Sequence, residues 1–386
     1  MLMLHLWVTV LSLLAVTTGL DNGLGLTPPM GILFRCSVNC DNFPDGCLNE
    51  DLVRSTADMF AEDGYQDAGY EYIILGDCVT SKERDTYGKL QPDPNRFASG
   101  FKNLSDYIHS KGLKFGMYTN YGTSTCAGYP ALIGHMEQDI KQFASEWEVD
   151  YLKVDNCNTD YSTDIQGYTE IGRLLNETGR PIYLQCEWPG NEVINNITPD
   201  WSSIPALCNS WRTYIDIVDG YTSLVKIVEY MAENQDTFVP LAGPGHWNDP
   251  DVVSCRQGSD TVSEWDGITC YQPVFGQSQL TVGNKAMLRS WQQMALWSVM
   301  ASPLIMSTKL DELGGGDETL LKNKDVIAVN QDPLGRMGRR IFWLSDVPTP
   351  LVDHSDAVGD NVSAPVLTGV DISGSRTRLG ARYKSL

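Results

Sequence analysis

The stretch Asp150-Tyr151-Leu152-Lys153-Val154-Asp155-Asn156-Cys157 reads as a buried strand that ends abruptly in charge. Tyr151, Leu152 and Val154 supply its apolar body, and Asp155 sits at its tip. Lys153 points to the same side as Asp155, because side chains along a strand alternate with period two. A lysine beside a carboxylate holds that carboxylate ionised, which a nucleophilic aspartate requires. The same pair can also be a structural ion pair at a strand end. The rest of the chain decides between the two readings.

Working outward, apolar strands alternate with helical patterns on both sides of this stretch. Upstream, Gly25 to Phe34 holds a short strand, and Asn49 caps a helix reaching Ala61. Glu71 to Leu75 is a strand ending in Gly76-Asp77-Cys78. A helix from Leu104 closes at Gly112, and Lys114 to Tyr118 is the next strand. Met136 to Trp147 is the helix that leads into the quoted stretch.

Downstream, Asp164 to Asn176 is a helix, and Pro181 to Gln185 is a strand running into Cys186-Glu187-Trp188-Pro189. Leu207 to Arg212 is expected to be a strand, with Asp216 just beyond it and a helix over Thr222 to Asn234. Phe238 to Leu241 is expected to be the seventh strand, opening into a loop over Gly243 to Asp251. A long helix, Lys285 to Met300, precedes the last strand, Pro303 to Met306.

Eight such units predict a parallel sheet closed as a TIM (β/α)8 barrel over residues 20–333. No GxGxxG follows the first strand and no Walker lysine motif occurs, which excludes the nucleotide-binding α/β folds. In a barrel, polar residues at the C-terminal ends of the strands gather on one face and read as catalytic. Here those ends carry Asp77, Tyr118, Asp155, Glu187, Arg212, Asp216 and Asp251. Clustered carboxylates repel one another, so stability alone does not explain this ring.

The flanking segments place the chain in the secretory route. The apolar run from Leu2 to Val16, followed by Thr17, Thr18 and Gly19, reads as a signal peptide over residues 1–19. The ten cysteines then point to disulfides in an oxidising compartment. Cys36, Cys40 and Cys47 lack the CxxC partner of a zinc site, and none of the five histidines sits at a paired ligand spacing, so no metal or cofactor is expected. Sequons at Asn103, Asn176, Asn196 and Asn361 are candidate glycosylation sites. A net charge of −21 argues against nucleic acid and anionic membrane surfaces as partners, and suits an acidic compartment. Residues 334–386 change character: Arg339 to Leu344 and Pro365 to Ile372 have strand patterns within Pro/Asp/Gly-rich text, which predicts a short, partly β tail.

Two carboxylates across a pocket are the minimal machinery of glycoside hydrolysis, with retention when they lie about 5–5.5 Å apart. Asp155 suits the nucleophile. Asp216, beyond Trp211-Arg212, suits a proton donor with a raised pKa. Tyr118, Trp188 and Trp247 are expected to offer aromatic surface to a sugar.

At this point a resemblance covers nearly all of Leu20 to Gly335. Leu20-Asp21-Asn22-Gly23-Leu24, Lys153-Val154-Asp155, Cys186-Glu187-Trp188-Pro189, Trp211-Arg212, Trp247-Asn248-Asp249-Pro250-Asp251 and Val329-Asn330-Gln331-Asp332-Pro333-Leu334-Gly335 resemble glycoside hydrolase family 27, the α-galactosidases and α-N-acetylgalactosaminidases. The resemblance implies a retaining exo-glycosidase on a TIM barrel, acting on α-galactosides, secreted or lysosomal, as a homodimer. It implies Asp155 as nucleophile and Asp216 as acid/base, with Asp77, Tyr118, Cys126, Lys153, Glu187, Arg212 and Asp251 on sugar-binding positions. It also implies the disulfides Cys36–Cys78, Cys40–Cys47, Cys126–Cys157 and Cys186–Cys208; Cys255 and Cys270 are then left to each other.

The departures from the family pattern carry expectations of their own. Gly76 stands where the family has a first aspartate, which predicts a relaxed pocket near C6 and faster galactoside turnover in Gly76→Asp. Ile32 and Arg35 replace a tryptophan-bearing first loop, and Val79 replaces a tryptophan after Cys78. Gly190 and Asn191 leave space like that of acetamido-sugar enzymes, while Glu187 is the residue that meets a 2-hydroxyl; galactose is favoured, since a carboxylate would clash with an N-acetyl group. The family's C-terminal antiparallel β domain is shortened and rewritten after Gly335. The alternatives are an α-N-acetylgalactosaminidase, a β-L-arabinopyranosidase, a catalytically weak carbohydrate-binding barrel, and a truncated product that does not fold.

Overall fold

The computed structural model describes residues 22–35, 48–218, 221–253, 283–313 and 315–341, with strand segments at 370–372, 375–377 and 383–384. The signal-peptide region, Cys36, Cys40, Cys47, Cys255, Cys270 and Asn361 lie outside them.

Eight parallel strands form one sheet: β1 (Met30–Phe34), β2 (Tyr72–Leu75), β3 (Lys114–Asn120), β4 (Tyr151–Asp155), β5 (Tyr183–Cys186), β6 (Ser210–Arg212), β7 (Trp247–Asp249) and β8 (Leu304–Met306). From β1 to β7 each pairs with its neighbours in sequence, and β1 also pairs with β8. The gap between β7 and β8 is spanned by a parallel bridge from Val253 to Met306, so the strands follow the circuit of a TIM barrel. The helices between them are α1 (Glu50–Glu62), α2 (Phe101–Ser110), α3 (Met136–Lys141), α4 (Asp164–Glu177), α5 (Trp188–Ile194), α6 (Tyr221–Glu233), α7 (Gln235–Leu241) and α8 (Gly283–Val299), with α9 (Gly315–Leu321) and α10 (Lys324–Asn330) after β8. Asn49 caps α1 as its sequence announces, its side chain accepting from the Leu52 N–H at 2.9 Å.

The seventh unit departs from expectation. Phe238 to Leu241 is not a strand but the end of α7, and β7 lies in the stretch expected to be a loop. Four apolar residues do not distinguish helix from strand by periodicity. Here Phe238 packs edge-on against Trp201 at 4.9 Å, on the helical layer. Trp247, Asn248 and Asp249 instead take register with Ser210, Trp211 and Arg212. The segment after Cys186 is likewise helix α5, with a proline in its first turn, where no intrahelical N–H is needed.

The interior follows from period two. Tyr151, Lys153 and Asp155 face inward on β4, and Tyr183 and Gln185 do so beside them on β5. At the floor, Tyr151 stacks on Tyr183 at 4.9 Å and meets Tyr72 edge-on at 5.2 Å. Above them comes the layer of Lys153 and Gln185, and then the acids at the mouth. β4 therefore runs from an aromatic base to a charged top.

After α10, β9 (Arg339–Arg340) pairs antiparallel with β12 (Tyr383–Lys384), and β10 (Val370–Ile372) with β11 (Ser375–Thr377). Arg339 and Arg340 bind Asp236 and Glu229, which ties the start of the tail to α7 and α6.

The floor gives the first test. The Tyr151 hydroxyl donates to Gln185 Oε1 at 2.7 Å, with both groups buried. Tyr151→Phe leaves that oxygen without its donor and should cost about 1–3 kcal/mol, read as a lower urea midpoint at constant m-value.

Candidate active site

The site lies at the C-terminal end of the sheet. Asp155 ends β4, and three elements hold its carboxylate. Oδ1 accepts the Asn156 N–H at 2.9 Å and the Asn191 side-chain amide of α5 at 3.0 Å. Oδ2 accepts the Tyr118 hydroxyl of β3 at 2.9 Å. Cys126 Sγ lies 3.2 Å from Oδ2, but it has no proton to give, because it is bonded to Cys157. That disulfide joins the loops after β3 and β4, and Cys186–Cys208 joins the end of β5 to the approach to β6. Both expected pairings are present, and Cys78 is also disulfide-bonded.

The expected Lys153–Asp155 pair is not formed. Lys153 Nζ sits 2.7 Å from Glu187 Oε1 instead. Both side chains are buried, and an inward lysine reaches across to the next strand more readily than along its own. Arg212 Nη2 approaches the same Oε1 at 3.0 Å. Burial pushes the Glu187 carboxyl up to about 7, against the pull of Arg212 and Lys153. Burial also opposes the Lys153 charge, but Glu187 above all lifts it beyond the ordinary lysine value.

Arg212 is the hub. It is 2% exposed, and it reaches Glu187, Asp251 Oδ1 at 2.8 Å and Asp216 Oδ1 at 2.5 Å. Asp251 receives four donors: Arg212 and the Val252 N–H on Oδ1, Arg35 and the Ile217 N–H on Oδ2. Burial would raise its pKa, but Arg212 and then Arg35 hold it well below the carboxylate range. Arg35 was not among the residues singled out for the site. It binds Asp251 Oδ2 at 2.7 Å from the end of β1, a contact 216 residues apart that no local pattern announces. Asp249 and Gln185, bonded at 2.5 Å, are further buried polar groups beneath the mouth that sequence reasoning passed over.

Asp216 is 73% exposed. Its pKa was expected to be raised; instead the Arg212 guanidinium beside it holds the carboxyl below its ordinary value. Asp155 and Asp216 both act electrostatically on Glu187, so they flank the same network. Asp77 lies outside the Arg212 contacts but feels Asp155: it accepts from the Cys78 and Ala127 N–H groups at 2.6 and 2.8 Å, and burial above all raises its pKa.

Three expectations about the pocket are corrected. Trp188 and Trp247 are 0% exposed and offer no surface to a sugar; Tyr118 remains partly exposed. Gly76 does not open room, because a Cβ there would lie 2.2 Å from the Phe34 carbonyl oxygen. The glycine is what lets β1 and β2 close together at their ends, through the Gly76 N–H to Phe34 carbonyl bond of 2.8 Å. Nor does Gly190 leave an acetamido-sized space, since its Cβ would meet Arg212 Cγ and the Tyr214 carbonyl, each at 2.7 Å. Of the sequons, Asn103, Asn176 and Asn196 are exposed.

A family model described as "Alpha galactosidase A" matches residues 27–263 and 276–332. The chain is 43% identical over 330 residues to alpha-N-acetylgalactosaminidase of Gallus gallus, covering 84% of this chain and 75% of that one. It is 40% identical over 331 residues to alpha-galactosidase A of Homo sapiens, covering 83% and 70%. Among solved structures, alpha-galactosidase from Saccharomyces cerevisiae with raffinose superposes at a TM-score of 0.66 with 28% identity, over 84% of this chain and 69% of that one. No helix among the described residues is long and apolar enough to cross a membrane.

Two measurements test these assignments. Gly76→Asp should lower stability by about 1–3 kcal/mol in urea titrations, without raising turnover. Asp164 and Glu192, buried beside the site, are each pushed up to about 7 by burial. Unfolded carboxyls titrate near 4, so between about 4 and 7 the folded chain holds protons that the unfolded chain has released. Stability should therefore rise as pH falls through 7, on the order of a few kcal/mol for the pair, and be lost again above it. Thermal melts between pH 8 and 5 read this, and Asp164→Asn with Glu192→Gln should flatten the slope.

Proposed function

The chain belongs to glycoside hydrolase family 27, the family of the alpha-galactosidases and alpha-N-acetylgalactosaminidases, and is a glycoside hydrolase by that membership; on that premise we propose that Asp155 and Asp216 remove terminal α-galactose with retention. Asp155 attacks the anomeric carbon while Asp216 protonates the departing glycosidic oxygen, and the carbon–oxygen bond breaks. A galactosyl ester on Asp155 remains. Asp216, now a carboxylate, takes a proton from water, whose oxygen displaces Asp155 and releases galactose in its original configuration.

The Arg212 contact holds the Asp216 carboxyl below its ordinary value. A sugar hydroxyl that takes over Arg212 Nη1 frees Asp216 to rise into the range of a proton donor. Lys153, Glu187, Arg212, Asp251, Asp77, Tyr118 and Cys126 line the sugar.

The observation that carries galactose over its 2-acetamido analogue is the closed wall at the C2 side. Glu187 is pinned by Lys153 and Arg212, and the space over Gly190 is filled. A second reading, the acetamido sugar, draws on the name of the 43% identical relative.

Hydrolysis of p-nitrophenyl α-galactoside, α-N-acetylgalactosaminide and β-L-arabinopyranoside at pH 4–7 separates these readings. The α-galactoside should be preferred, and Asp216→Asn should lower kcat by about 10²–10⁴-fold. Asp155→Ala should be inactive, and azide should restore turnover with release of the β-configured galactosyl azide. Preference for the acetamido sugar supports the second reading. Binding of galactose with no hydrolysis of any substrate means a carbohydrate-binding protein.

A further inference from the structure

Two side-chain amides beside Asp155 have no role in the chemistry above. Asn191 gives one amide hydrogen to Asp155 Oδ1 at 3.0 Å and the other to Asn156 Oδ1. Asn156 in turn gives its own amide to Asp164 Oδ2 at 3.0 Å. Asn156 and Asp164 are 1% and 0% exposed, so water does not substitute for these contacts.

The contacts share one consistent set of donors and acceptors. Asp164 Oδ2 accepts from the Asn156 amide at 3.0 Å, which turns the amino side of Asn156 toward it. The Asn156 carbonyl oxygen must then face Asn191. Two acceptors now confront Asn191, Asn156 Oδ1 and Asp155 Oδ1, and only its NH₂ group satisfies both. A flipped Asn191 would set oxygen against both acceptors. The Asp155 carboxylate and a buried acid two steps away in the network thus favour the same orientation of this amide.

We propose that Asn191 is the positioning residue of the nucleophile: with the Asn156 N–H it anchors Oδ1 of Asp155, and so selects Oδ2 as the attacking oxygen. Oδ1 holds two N–H donors and Oδ2 only the Tyr118 hydroxyl, which leaves Oδ2 the freer lone pair. As the new carbon–oxygen bond forms, charge leaves the carboxylate. Donors on the non-attacking oxygen hold its plane in place throughout. Asn156 and Asp164 act through Asn191 and touch no substrate.

This inference rests on the reading of Asp155 as nucleophile, and the experiment separates the two. Wild-type hydrolysis of p-nitrophenyl α-galactoside tests the reading. Asn191→Ala, Asn191→Gln and Asp164→Asn then test the inference on the full-length protein. Removing a donor to a charged group should lower kcat by about ten- to a hundredfold with KM little changed. It should also move the acid limb of the kcat/KM profile to higher pH, because the lost bond favoured the ionised acid. Asn191→Gln, which keeps the amide, should recover part of the loss. Asp164→Asn should show the same limb shift in weaker form.

A loss confined to KM, or an unmoved acid limb in Asn191→Ala with native circular dichroism, overturns the proposal. A readout independent of turnover is the titration of ¹³C-labelled aspartate, with Asp155→Asn supplying the assignment. Its midpoint should rise in Asn191→Ala. An unchanged midpoint overturns the inference even where the hydrolysis reading stands, and a wild type that hydrolyses no glycoside overturns the reading itself.

Discussion

Arg212 is the interaction on which the mouth of the barrel depends. Its guanidinium is buried and shared by Glu187, Asp251 and Asp216, each from a different segment of the ring. Burying such a cation costs several kcal/mol, and only close, multiple pairing offsets it. The pairing is dense: Glu187 also holds Lys153, and Asp251 also holds Arg35 and two backbone N–H groups. Removing one member would leave an uncompensated buried charge, so the strands bearing these residues are held in mutual register by their charges as well as by their ladder.

That arrangement has a chemical consequence. A fixed guanidinium supplies positive potential at one place, and each carboxyl responds according to its own burial. Glu187, enclosed, is drawn up to about 7 in spite of its cations; Asp216, exposed beside the same arginine, is drawn down. One cation thus faces acids of different protonation tendency.

The two glycines that looked like openings show how local text misleads. Gly76 and Gly190 each lack a side chain where another member of the family has one, and the natural inference was added space. In the fold both sites are already filled, by the Phe34 carbonyl and by Arg212 with the Tyr214 carbonyl. A missing side chain permits close approach of other segments as readily as it leaves room. Which of the two occurs depends on residues far along the chain. The same limit hid Arg35, whose partner lies 216 positions away.

The amino-acid sequence alone determined the alternation of strands and helices, the strand ends that carry the acids and the cap of α1. These follow from periodicity, capping chemistry and motif, all of which act over a few residues. It did not determine that the seventh strand is Trp247–Asp249 and not Phe238–Leu241, because four apolar residues suit either layer until a neighbouring strand supplies the register. Nor did it determine that Lys153 turns to Glu187, that Arg212 lowers Asp216, or that Asn191 grips Asp155. Those are decided in the tertiary structure, because an ion pair or a hydrogen bond is set by distance across the barrel and not by separation along the chain.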